Sequence, residues 1–198
     1  MKVVVLNGSP HKKGNTAAAI SELVAGAREA GNEVEVVDLA GKKVAGCLGC
    51  KYCFTHDGVC VQKDDMADVL AALDAADAVI FASPIYWFDM TAQLKAAIDR
   101  MYARAVKGFH FHRAGMLLVA GADGESDFAA AKAQFHAMCG YLKWEELGIV
   151  TVGETSATPI TDAENDERLT AAYELGLSIN ANGDAEGDDG ESAGESEA

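Results

Sequence analysis

Short runs of β-branched and apolar residues alternate along the chain with segments whose apolar residues recur every three or four positions, and this alternation constrains the fold most. Strands that follow one another through helices are joined by crossovers, so they pair in parallel, and a parallel sheet is covered by helices on both faces. The strand-like runs are Lys2–Leu6, Glu33–Leu39, Ala78–Ala82, Gly115–Ala120 and Leu147–Val152. The third and fourth are almost continuously apolar, as strands buried on both faces are.

Four clear helical faces lie between or beside them: Thr16, Ile20, Leu23, Val24 and Ala27; Met66, Val69, Leu70 and Leu73; Leu94, Ile98, Met101 and Ala105; and Phe128, Ala131, Phe135, Met138, Cys139 and Leu142. A weaker fifth, Leu169, Ala172, Tyr173 and Gly176, ends near Asn180. Gly31-Asn32 is expected to stop the first helix, and Asp64-Asp65 to cap the second with a carboxylate. Five βα units with right-handed crossovers predict an α/β fold: a doubly wound, five-stranded parallel sheet in the order 2-1-3-4-5. A ligand is expected at the carboxyl ends of the first and third strands, where the winding reverses.

With 198 residues and 49% apolar composition the chain can close one core, assigned to residues 1–182. Positions 183–198 carry seven acidic residues, no basic one and nothing apolar larger than alanine, which predicts an acidic disordered tail. The formal charge of −15 argues against nucleic-acid and acidic-membrane partners, because phosphate neutralisation needs a basic face. No run approaches the roughly 18–20 apolar residues of a membrane span, and no export signal is expected. Four of the five cysteines crowd between positions 47 and 60, pointing to a reducing cytoplasm and to ligand or redox thiols rather than a disulfide scaffold.

Two loops fall at the expected switch point. The first, Asn7 to Thr16, offers Ser9 and Thr16 hydroxyls, the Asn15 amide, His11, Lys12 or Lys13 as cationic help, and backbone amides at a helix start. That content suits a monophosphate, and also an ordinary turn with caps. It is neither a GxGxxG turn nor a P-loop. The second, Ser83-Pro84-Ile85-Tyr86-Trp87-Phe88-Asp89-Met90, leaves a core strand with aromatic side chains that could form a platform for a planar ring or pack against another subunit.

Gly8-Ser9-Pro10 with Gly14-Asn15-Thr16, then Ser83-Pro84-Ile85-Tyr86, Leu94-Lys95 and Asp99-Arg100 resemble the NADPH-dependent FMN reductase superfamily, whose fold is flavodoxin-like. Cys47-Leu48-Gly49-Cys50-Lys51-Tyr52-Cys53, followed by Cys60 and Lys63-Asp64-Asp65-Met66, resembles its iron–sulfur flavoprotein branch. The resemblance covers about positions 1 to 155. It implies that Ser9, His11, Asn15 and Thr16 hold an FMN phosphate, that Pro84, Ile85, Tyr86, Trp87 and Phe88 line the ring, and that Gly121 approaches it from the fourth strand. The chain departs from its relatives in placing His11 where they commonly have arginine, and in the acidity of Gly121-Ala122-Asp123-Gly124-Glu125.

Cys47, Cys50 and Cys53 at C-x2-C-x2-C spacing can face one centre, and Cys60 can return as a fourth ligand because Gly58 permits a tight turn. A [4Fe–4S] cluster, a structural zinc, a redox dithiol and unliganded thiols all remain open on spacing alone. Cys139 belongs to an apolar stripe and is expected to pack, and His56 to be a solvated loop residue.

The resemblance thus implies an enzyme in which FMN takes electrons from NADPH or NADH and passes them to a small acceptor such as a quinone, flavin, azo or nitro compound. The alternative is an electron carrier using FMN plus [4Fe–4S], reduced by a protein donor such as ferredoxin; a binding module that has lost its flavin is the third reading. No residue stands out as catalytic. Aromatics beyond the third strand and an apolar third helix suit a homodimer or homotetramer.

Overall fold

A computed structural model describes residues 1–105 and 107–180 of the chain, so the expected tail at 183–198 lies outside the described residues. The strands among them are β1 (Lys2–Asn7), β2 (Glu33–Asp38), β3 (Ala78–Tyr86), β4 (Asp89–Met90), β5 (Arg113–Val119) and β6 (Glu145–Val152). The helices are α1 (Asn15–Glu29), α2 (Tyr52–Thr55), α3 (Met66–Asp74), α4 (Ala92–Ala105), α5 (Glu125–Leu142) and α6 (Thr170–Ser178). All strands but β4 pair in parallel in the order β2-β1-β3-β5-β6, the flavodoxin-like order expected of the five long runs.

The period-two alternation of β1 divides the core. Val3 and Val5 join Leu23, Ala27 and Leu175 beneath α1 and α6, whereas Val4 and Leu6 join Met66, Leu94 and Phe128 beneath α3, α4 and α5. Every residue from Val3 to Leu6 is fully buried, and burial of such a side chain contributes about 1.5–3 kcal/mol.

On the first face α1 and α6 cross in close contact at paired glycines. A Cβ on Gly26 would strike the Tyr173 carbonyl, and one on Gly176 the Leu23 carbonyl, so only hydrogen fits at either place. The α1 terminus bears out the expected stop: the Gly31 N–H donates to Arg28 O at 2.9 Å and the Asn32 N–H to Ala27 O at 3.0 Å, with Gly31 at φ +81°. No helix of the described residues is long and apolar enough to cross a membrane.

Two local expectations are corrected. The third strand does not end at Ala82; it continues through Ser83-Pro84-Ile85-Tyr86, first along β5 and then antiparallel to β4. Beyond Ala82 it has a sheet partner on one flank only, since β1 ends at Asn7, and an open flank tolerates Pro84. Asp65 occupies the N-cap of α3 but makes no cap bond, because its carboxylate accepts from the Lys43 N–H at 2.7 Å. Asp64 accepts weakly from the Met66 N–H at 3.3 Å and is chiefly engaged elsewhere.

Candidate functional site

The carboxyl ends of β1, β3 and β5 open into a cleft of about 270 Å³. Ser9, His11, Asn15, Thr16, Pro84, Ile85, Tyr86 and Gly121, all singled out from the sequence, line it together. The loop after β1 is folded upon itself: the Ser9 N–H donates to Asn7 Oδ1 at 3.0 Å, the His11 N–H donates to Ser9 Oγ at 3.2 Å, and Asn7 Nδ2 donates to Asp38 Oδ1 at 2.8 Å. Thr91, at the foot of α4, anchors it from below. Its hydroxyl donates to Gly8 O at 2.8 Å while its N–H donates to Ser83 Oγ at 2.9 Å, so one buried threonine joins the two switch-point segments.

Gly14 is the N-cap of α1 and has no side chain to satisfy the amides of the first turn, although Gly14, Asn15 and Thr16 line the cleft. Unsatisfied amides at the positive end of a helix dipole attract an anion. Ser9 and Thr16 are both buried, whereas His11 lines the cleft as an exposed side chain and Lys12 and Lys13, next in sequence, are exposed. Asn15 is partly committed: its Oδ1 accepts from the Ile160 N–H at 2.9 Å and its Nδ2 donates weakly to Thr155 O at 3.4 Å.

Thr155 and Ser156, which sequence reasoning missed, close the far side of the cleft. The Thr155 and Ser156 amides donate to Ala120 O and Gly121 O at 3.2 and 3.3 Å, seating the segment after β6 against the segment after β5. The polar run Glu154-Thr155-Ser156 directly after the fifth strand was the available signal, because strand ends on this edge all face the cleft. Trp87 and Phe88 lie outside the cleft lining, at the tip of the β3–β4 hairpin, with 94% and 57% of their surfaces exposed. Both sit at positive φ, +53° and +68°, in turn positions that favour asparagine and glycine.

The cysteine segment follows β2 and has little regular structure besides α2. Cys47, Cys50, Cys53 and Cys60 nevertheless line one small depression, together with Arg100. Gly58, at φ +75°, makes the expected turn that returns Cys60, its N–H donating to Cys53 O at 3.0 Å. His56 is exposed and stacks on Tyr52 with centroids 3.5 Å apart. Among the described residues no three His, Cys, Asp or Glu side chains are grouped to hold a metal ion, so the thiols share a depression without forming a ligand shell. Cys139 is buried in the α5 face of the core, where burial pushes its thiol up to about 12.

Arg100 is the most deeply buried charge beside these thiols, 2% exposed. Its Nη1 donates to Asp64 Oδ2 at 2.7 Å and to Ala45 O at 2.9 Å, and its Nη2 donates to Asp64 Oδ1 at 2.9 Å. The bidentate pair holds the Asp64 carboxyl below the usual carboxylate range and raises Arg100, with Cys60 beside the guanidinium adding to the latter. Its Nε is buried and has no hydrogen-bond partner.

Residues 1–159 match the family described as NADPH-dependent FMN reductase. The chain belongs to that family. An iron–sulfur flavoprotein of Archaeoglobus fulgidus is 34% identical over 186 residues, covering 90% of this chain and 79% of that protein. An iron–sulfur flavoprotein of Methanocaldococcus jannaschii is 38% identical over 100 residues, 50% of this chain and 51% of that one, so this second alignment spans about half of each. Among solved structures, an NAD(P)H:quinone oxidoreductase from Methanothermobacter marburgensis superposes with a TM-score of 0.73 at 21% identity, over 90% of this chain and 96% of its own. The resemblance to the FMN reductase family and to its iron–sulfur flavoproteins is therefore borne out, and the structural likeness carries the flavodoxin-like fold.

Proposed function

We propose that this member of the FMN reductase family binds FMN in the cleft at the ends of β1, β3 and β5 and works as an oxidoreductase between NADPH or NADH and a small acceptor of the quinone, flavin, azo or nitro class. The observation that carries this reading is the uncapped N-terminus of α1, opening with Ser9 and Thr16 into a cleft bounded by Pro84, Ile85 and Tyr86. A phosphate fits there: the first-turn amides and two hydroxyls can donate to it, and the exposed Lys12 and Lys13 in the same loop add positive charge without being buried. Pro84 to Tyr86 present an extended backbone and partly exposed side chains to the place of a planar ring. When bound, FMN supplies the redox chemistry, taking up an electron pair and giving it away. The protein's part is position and electrostatics.

FMN titration of the purified chain, followed by NADPH or NADH with and without a quinone, tests this reading. Saturable binding and FMN-dependent nucleotide oxidation are expected, and no flavin retained after reconstitution overturns it.

A second reading rests on the shared depression of the four thiols. A [4Fe–4S] cluster fits the donor set of Cys47, Cys50, Cys53 and Cys60, and the buried, unpartnered Nε of Arg100 fits a site that carries negative charge on sulfur. Such a cluster supplies one-electron transfer when bound. On this reading the chain is an electron carrier that takes electrons from a protein donor such as ferredoxin. A protein that stays oxidised under both nucleotides yet is reduced by ferredoxin selects it. The exposed aromatics Tyr102, Tyr141, Trp87 and Phe88 suit a homodimer or homotetramer on either reading.

A further inference from the structure

A buried arginine that spends two of its three nitrogens on one aspartate and keeps the third unpaired is unusual, because an unmatched buried donor costs about 1–3 kcal/mol. Folding alone gives no reason for that orphan. A lysine could pair with Asp64, and a bulkier apolar residue could fill the space. Both halves of the side chain point to the cysteine depression instead. The terminal nitrogens tie α4 to Ala45, two residues before Cys47, and to Asp64, four residues after Cys60, so they clamp the two ends of the cysteine segment together. Arg100 itself lines the depression, with Cys60 beside its guanidinium.

The same clamp is reinforced from the segment's own side. The Ala45 N–H donates to Asp64 Oδ2 at 3.1 Å, and Gln62 Nε2 donates to Gly46 O at 3.1 Å. Further in, Arg104 Nη1 donates to Gly58 O at 2.6 Å and Lys107 pairs with Asp57, so α4 also holds the turn before Cys60, while between Cys47 and Cys50 the Gly49 N–H reaches only the Cys47 sulfur, at 3.4 Å.

We propose that Arg100 is a positioning residue for a sulfur-ligated cluster on Cys47, Cys50, Cys53 and Cys60: its fork clamps the ends of the cysteine segment, and its Nε–H is held free to donate to the sulfur at Cys60 or to a cluster sulfur beside it. The assignment rests on the iron–sulfur reading above. A hydrogen bond and a positive charge directed at ligand sulfur stabilise the more reduced, more negative cluster, and residues supporting a ligand in this way change metal retention by about 10–100-fold when lost.

The two jobs of the side chain separate in two variants. Arg100→Lys keeps a charge but removes both the Nε donor and the guanidinium fork, whereas Asp64→Asn weakens the clamp and leaves the donor in place, so the effect of Nε is the difference between the two. Each full-length protein is reconstituted anaerobically with iron and sulfide, and four quantities are measured: irons per chain, the rate of iron release to a chelator, the cluster midpoint potential, and FMN affinity as a check of fold. The expected result is that Arg100→Lys binds FMN normally, releases iron about 10–100-fold faster and shifts the midpoint potential to more negative values, while Asp64→Asn lowers the melting temperature with a smaller shift in potential. A release rate and potential in a folded Arg100→Lys protein no further from wild type than those of Asp64→Asn overturn the role of Nε while leaving the iron–sulfur reading intact. Wild-type protein that takes up no iron overturns that reading and this assignment with it.

Discussion

The cleft at the ends of β1, β3 and β5 and the cysteine segment both follow strand ends, yet they are held by different means. In the cleft, Ser9, Ser83 and Thr91 are buried and bonded to backbone or to one another, and the segment is seated on β1, β3 and β5. In the cysteine segment Cys47 and Cys50 are exposed, Cys53 and Cys60 are half-buried, and the fixed points are charged side chains: Asp64, Asp65 and Arg100 at the ends, Arg104 and Lys107 at the turn before Cys60. The cleft owes its shape to the sheet; the cysteine segment owes its shape to side chains reaching it from α4 and the residues just after it, Arg100 on Asp64 and Ala45 and Arg104 on Gly58. A site built the first way survives loss of a side chain at its rim, whereas one built the second way depends on a few charged side chains, Arg100 foremost.

Breaking the clamp has the largest expected effect. Asp64→Ala leaves the Arg100 charge buried and unpaired, which costs about 3–5 kcal/mol in urea unfolding; a loss below about 1 kcal/mol would show that Arg100 finds other partners. The same pair predicts an acid limb. Because the Asp64 pKa is lowered from its ordinary value of 3.8, its contribution is complete above that value and is lost as pH falls through the lowered one. Stability below about pH 4 should therefore fall more steeply in the wild type than in Asp64→Asn.

On the cleft side, Thr16→Ala removes one hydroxyl from the phosphate end and should weaken FMN binding by about 10–100-fold, the worth of one hydrogen bond to a charged group. Equal affinity would move the phosphate away from α1. A smaller effect, of opposite sign, is expected at the hairpin tip. Trp87→Gly relieves a left-handed backbone and should raise stability by about 1 kcal/mol, while exposing whether the ring contributes to FMN or subunit contact. The smallest effect sharpens the contrast most: Cys50→Ser should leave FMN affinity within about twofold of wild type, since separate sites add nearly independently.

Much of this architecture was legible in the residues. The period-two and three-to-four patterns of Val3–Leu6, Leu23–Ala27 and Phe128–Cys139 place each residue on a face by local geometry alone, and the residues singled out between Ser9 and Thr16 do line one cleft. Ser83–Tyr86 was misread as loop because serine and proline are poor strand residues, and only the pairing with β5 and β4 makes them strand. Thr155 and Ser156 escaped notice for a related reason: what brings them to Gly121 is the seating of one strand end beside another.

The sequence by itself determined the parallel sheet, its order and which strand ends open into the cleft, since those follow from periodicity, crossover handedness and chain length. Only the tertiary structure decided that Arg100 and Asp64, 36 positions apart, meet beside Cys60 with one nitrogen left over. Periodicity records which face a residue occupies, and Arg100 occupies the buried face of α4 among leucine, isoleucine and methionine. Which charge it meets there depends on how α4 packs against the entry to α3, and that is a property of the folded chain alone.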